Sequence, residues 1–202
     1  MAPSPSPELV STADGEHLLD LAEAALDAAL TGRRVRPPGL ATVPPALRDP
    51  GDAFVTLHVA GALNGCIGSL DGDEPLAHAV GRLAVAAAFH DPRLPALRPV
   101  DRAELSVEIS LLSPRSPIDA SGHDELAARL RPGRDGVVVQ AGHRRGLFLP
   151  DVWEQLPHPI DFLAHLWRKA GLRPGSWPSG LQAARFATQR LERGNGPLRA
   201  AG

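Results

Sequence analysis

Residues 53–68, AFVTLHVAGALNGCIG, hold two strand-forming runs separated by at most three turn residues. Strands joined so closely can pair only antiparallel, because a parallel crossover needs a connection of about a dozen residues or more. Ala60 is poor at positive φ, so the turn chemistry favours a three-residue loop, Val59-Ala60-Gly61, with Gly61 left-handed as a bulge. That register sets Phe54 opposite Cys66, Thr56 opposite Asn64, Val55 opposite Gly65 and Leu57 opposite Leu63. Alternation then gives an apolar face of Val55, Leu57, Val59, Leu63 and Ile67. The other face is mixed and polar, with Phe54, Thr56, His58, Asn64 and Cys66.

Around this hairpin the pattern switches repeatedly between helix and strand. From Gly15 to Leu30 apolar residues recur at helical spacing, and Gly32 stands where a helix stops. The segment RRVRPPGLATVPPALRDPGD is too rich in proline and glycine for regular structure and reads as a long surface loop, mobile unless packed. Pro75 opens a second, alanine-rich helix that runs to about Phe89. In ELSVEISLL, leucine, valine and isoleucine alternate with serine and glutamate, which predicts a half-buried strand. A short helix near His123–Leu130, a second hairpin turning at Gly142 and His143, a helix over 160–172 stopped by Gly171, and a late strand within 181–193 with Phe186 inward complete the reading. Hairpins without a βαβ rhythm place the chain in the α+β class with mainly antiparallel sheets.

Composition narrows the function classes. The chain of 202 residues suits one core or two lobes sharing an interface, and we expect a lead-in over 1–14, the domain over 15–192 and a flexible tail over 193–202. No apolar run approaches a membrane span, and MAPSPSPELV carries no secretory pattern, so a cytoplasmic location is expected. The single cysteine, Cys66, permits no internal disulfide and no thiolate metal cluster. A net charge of −2 gives no broad pull on nucleic acid or anionic lipid, although arginines cluster in GRRVRPPG and GHRRGL. There is no phosphate-binding glycine loop with a lysine, no dinucleotide fingerprint and no tyrosine for base stacking, so nucleotide chemistry is disfavoured. Eight histidines show no HExxH or His-x-His spacing, and no metal ligands are assigned.

The chemistry therefore centres on Cys66, set between Gly65 and Gly68. Glycines there let a ligand or a second backbone approach closely while the thiol is presented at the bare spot. The alternative is a cysteine acting as a small buried hydrophobe beside strand glycines. A working thiol needs a base or a nearby cation, and His58, His90, His143, Arg93 and Arg145 are the candidates. Asp91-Pro92-Arg93 is either a turn ending a helix or an acid and guanidinium pointing into a cleft, and alone it favours the turn; Glu108 reads as a solvated strand residue ahead of a general base.

In order, the blocks FVTL, GALNGCIGSL, PLAHAV, AAFHDPRL, LSVEISLLSPRSPI, GHRRGLFLPDVW and FLAHLWRKAGL resemble the AMMECR family, also called AmmeMemoRadiSam system protein A, over about residues 15–190. The family's Leu-Arg-Gly-Cys-Ile-Gly stretch is carried by Leu63, Gly65, Cys66, Ile67 and Gly68, with Asn64 in place of the arginine. The resemblance implies two unequal lobes, each with a mainly antiparallel sheet flanked by helices, and a cleft between them lined by this stretch. It also implies association with a Memo-like dioxygenase homologue and a radical-SAM enzyme, with no established activity and no identified cofactor. The expected site then has Cys66 as the candidate catalytic thiol. Phe54, Thr56, Asn64, Gly65, Gly68, Arg93, Glu108 and Arg145 are its cleft contacts. A non-catalytic binding or adaptor module for a small ligand or protein partner is the alternative function.

Overall fold

The computed structural model describes residues 8–70 and 72–193, which form two compact units. The first unit comprises Glu8–Leu112 and residues 189–193; the second comprises Ser113–Thr188. The parts of the expected lead-in and tail at 1–7 and 194–202 lie outside the described residues.

In the first unit, helix α1 (Thr12–Leu30) is capped by Ser11, whose hydroxyl accepts the Asp14 amide. It therefore starts ahead of Gly15, and Leu9 and Val10 before it donate their amides to Gln189 Oε1. Strands β1 (Asp52–Val59) and β2 (Ala62–Gly68) form the hairpin, followed by α2 (Leu76–Phe89) and β3 (Leu105–Leu112). With β8 (Thr188–Arg193) they make a four-stranded sheet in the order β2-β1-β3-β8. Leu18, Leu19 and Leu26 of α1, Val80, Leu83 and Ala84 of α2, and Val55, Leu57 and Ile109 of the sheet fill the core between helices and sheet. The proline-rich loop is packed: Val43 and Leu47 are buried in this core.

The second unit contains β4 (Ser116–Pro117), α3 (His123–Arg129), β5 (Gly136–Ala141), β6 (Arg144–Phe148), α4 (Pro159–Lys169) and β7 (Gln182–Phe186), with strand order β4-β7-β5-β6. Trp153 stacks on Phe162 with ring centroids 3.8 Å apart, and Phe162, Leu163, Leu166 and Trp167 of α4 are fully buried. Buried Asp135 anchors the start of β5, accepting from the Arg131 amide and guanidinium and from Arg185. The second hairpin turns at Gly142 and His143 as expected, and Gly171 takes φ +71 just beyond α4. The class is α+β, with two mainly antiparallel sheets.

Three sequence expectations are corrected. The first hairpin closes on the two residues Ala60 and Gly61, with φ +50 and +79, rather than on a three-residue loop. This twist matches that of the flanking strands, and the left-handed alanine, which costs about 1–2 kcal/mol, is carried by the ladder it closes. The register moves with it: Phe54 pairs with Gly68, Val55 with Ile67, Thr56 with Cys66 and Leu57 with Gly65. A bulge then sets His58 opposite Leu63, so Leu63 leaves the apolar face and is exposed. Second, β3 is buried on both faces except at Ser106, whereas β1, equally interior in the sheet, keeps its alternation. Third, the late strand is two strands in different sheets. At the switch, Ser113 and Ala187 exchange bonds, amide to carbonyl at 2.9 Å and amide to hydroxyl at 3.0 Å.

Candidate functional site

The observed register places Phe54, Thr56, Cys66 and Gly68 on the sheet face opposite the helices, together with Ser110 and Glu108 of β3. One row runs Cys66, Thr56, Glu108 across three strands and ends at Arg190 of β8, whose guanidinium meets Glu108 at 2.6 Å. Glu108 is thus a buried, paired carboxylate, 8% exposed, and not the solvated residue expected from alternation. A buried charge is retained only with such a partner.

Cys66 sits on the edge strand of its sheet, where unpaired backbone groups ordinarily face solvent. Here the turn after α2 closes the edge. Asp91 accepts the Cys66 amide at 3.0 Å, and the Arg93 guanidinium donates to the Cys66 carbonyl oxygen at 3.0 Å. Both backbone groups of Cys66 therefore point away from β1, which makes Thr56–Cys66 a non-hydrogen-bonded pair, the kind in which side chains come closer. The Thr56 hydroxyl donates to Cys66 Sγ at 3.3 Å.

Asp91 is the residue that site selection from sequence omitted. Its side chain is 1% exposed, and its carboxylate also accepts the Arg93 amide at 3.1 Å and the guanidinium at 2.8 and 2.6 Å. The bonds from the Arg93 side chain, helped by the two amides, hold the Asp91 carboxyl well below the usual carboxylate range, against the opposing effect of burial. The spacing itself carries the signal: proline between acid and arginine fixes a turn that folds the guanidinium back onto the carboxylate. Arg190 could have been found from its alternation with the core residue Leu191.

The two glycines of the motif have distinct jobs. A Cβ on Gly65 would lie 1.9 Å from the Ala87 carbonyl oxygen, so Gly65 faces α2 and permits close packing of strand on helix. A Cβ on Gly68 would fall 2.3 Å from the Phe54 ring, which covers the bare strand. Gly136 and Phe186 repeat this arrangement in the second unit. Asn64, at the bulge, donates to the Pro95 carbonyl at 3.4 Å, while its Oδ1 is buried without a hydrogen-bond partner.

The structure thus brings Phe54, Thr56, Cys66, Gly68 and Glu108 onto one sheet face, with Arg93 at its edge. Gly65 turns to the helix side. Arg145 stands on β6 of the second unit, opposite Gln140. His58 lies on β1 opposite Leu63, His90 caps α2 and His143 forms the second hairpin turn. The hydroxyl of Thr56, not an imidazole, is the group bonded to the sulfur. Among the described residues no three His, Cys, Asp or Glu side chains gather at metal-binding spacing, and no helix is long and apolar enough to cross a membrane.

The AMMECR1 family model matches residues 19–191. A protein of Thermofilum pendens is 36% identical over 196 residues, covering 89% of this chain and 90% of its own length. One from Thermococcus gammatolerans is 38% identical over 174 residues, covering 81% and 82%. The crystal structure of an uncharacterised protein from Pyrococcus horikoshii aligns with a TM-score of 0.82 at 33% identity, over 94% of this chain and 100% of that one.

Proposed function

The chain belongs to the AMMECR1 family, and we propose that it acts as a binding protein for a small ligand seated on the sheet face around Cys66. The observation that carries this reading is the commitment of both neighbouring carboxylates. Asp91 is spent on Arg93 and two backbone amides, and Glu108 on Arg190, so neither is available as the base that an activated nucleophile needs. The same contacts hold the thiol, the Thr56 hydroxyl and the Glu108–Arg190 pair in fixed places, which is what recognition requires. A cleft bordering this face and work beside a Memo-like protein and a radical-SAM enzyme come with the family resemblance and belong to the same proposal.

One observation favours an accessory enzymatic role instead: Cys66 is a free, half-buried thiol on this face, and the Thr56 hydroxyl donates to its Sγ. Alkylation by iodoacetamide near neutral pH separates the two readings. A binding face predicts a folded-state rate no greater than that of free cysteine under the same conditions. A rate ten or more times faster refutes it and makes Cys66 a nucleophile.

A further inference from the structure

We propose that the groove between α1 and α2, roofed by residues 35–38, is a second binding site, taking a small amphiphile with a short acyl chain and a carboxylate head. No residue of the Cys66 face lines it, so it stands independently of the reading above. The groove has a volume of about 580 Å³, within the roughly 300–1,000 Å³ of small-molecule sites. It is built from small and apolar side chains that the two helices turn toward each other above the core: Leu21, Ala24 and Ala28 on α1, and Gly81, Val85 and Ala86 on α2.

Two features keep this space open. The roof segment Val35-Arg36-Pro37-Pro38 is tied down by a polar contact, with His78 Nε2 2.9 Å from the Pro38 carbonyl oxygen. Its two prolines have fixed φ, which resists collapse of the strap into the groove. The rim then selects the head group. The one carboxylate lining the groove among the described residues, Glu74, is paired with Arg82. Arg36 lines it as well and has no carboxylate partner among the described residues, while His90 lines it from the far end of α2. An uncompensated guanidinium beside an apolar trough favours a ligand that is anionic at one end and aliphatic along its length.

The test uses the full chain with octanoate and 1-octanol as probes, titrated by calorimetry against wild type, Ala24→Leu and Arg36→Ala. Ala24 is exposed on α1, so a leucine there fills the groove without entering the core, and circular dichroism verifies that each variant is folded. Saturable octanoate binding to one site is expected, at least fivefold tighter than octanol. Ala24→Leu should weaken it tenfold or more, Arg36→Ala should bring octanoate down to the octanol level, and Cys66→Ser should leave it unchanged. Absence of saturable binding, equal affinity for acid and alcohol, or insensitivity to both groove variants overturns the proposal.

Discussion

Replacing Gly65 by alanine isolates the reason a glycine stands beside the only cysteine. The added Cβ would sit 1.9 Å from the Ala87 carbonyl oxygen and 2.7 Å from its carbon, both backbone atoms of a buried helix turn. Reaching the 3.4 Å of ordinary contact requires β2 and α2 to separate by about 1.5 Å along that direction. No rotamer change can supply that movement, so the cost belongs at the top of the overpacking range, about 3 kcal/mol or more. For a chain of this size 3 kcal/mol corresponds to a fall in Tm of about 6–12 °C. Thermal unfolding followed by circular dichroism measures it. Gly39→Ala is the control, since Gly39 has φ −65 and nothing within 4 Å of its added Cβ, and its effect should stay within about 0.5 kcal/mol. If Gly65→Ala unfolds within 0.5 kcal/mol of wild type, the close approach of strand and helix is not what demands the glycine.

Other perturbations follow from the buried acids. Asp91→Asn should destabilise by about 1.5–3 kcal/mol near neutral pH, the range for hydrogen bonds to a charged group. Because the folded Asp91 carboxyl lies below its ordinary value of 3.8, its contribution is present above that pH and fades as pH falls through the folded value. Urea midpoints for wild type and Asp91→Asn should accordingly converge as the solution is acidified below 3.8, and a gap that widens would contradict the sign. Asp135→Ala removes the acceptor of the Arg131 amide and of the Arg131 and Arg185 side chains, so a loss of about 1.5–3 kcal/mol is expected in chemical denaturation. Thr56→Val removes the hydroxyl that donates to Sγ and should cost about 0.5–1.5 kcal/mol in chemical denaturation, the range for a single hydrogen bond.

The elements are legible in the sequence where pattern and punctuation agree. The helix over 160–172 has its apolar stripe and Gly171, and the second hairpin has Gly142 at a turn position that glycine suits. The first hairpin misleads because Ala60 is a residue that local preference excludes from the left-handed region, and tertiary pairing overrides that preference. A shift of two in the ladder preserves which side each residue takes, which is why Thr56 and Cys66 still share a face. The bulge then breaks the alternation at Leu63. The candidate site is legible as far as the thiol and its strand neighbours. Asp91 and Arg190 join it through long-range closure of a sheet edge and pairing across strands, neither of which has a local signature strong enough to outweigh the turn and surface readings. Gly65 is singled out correctly but for a close approach by α2, not by a ligand.

Hydrogen exchange at the Cys66 amide tests most directly whether Asp91 and Arg93 close the sheet edge and hold the thiol in place. Although this amide belongs to an edge strand, it should exchange slowly in wild type and at least tenfold faster in Asp91→Ala, with the amides of β3 unchanged. Rapid exchange in wild type, or equal rates in the two proteins, would show that nothing fastens the strand at Cys66.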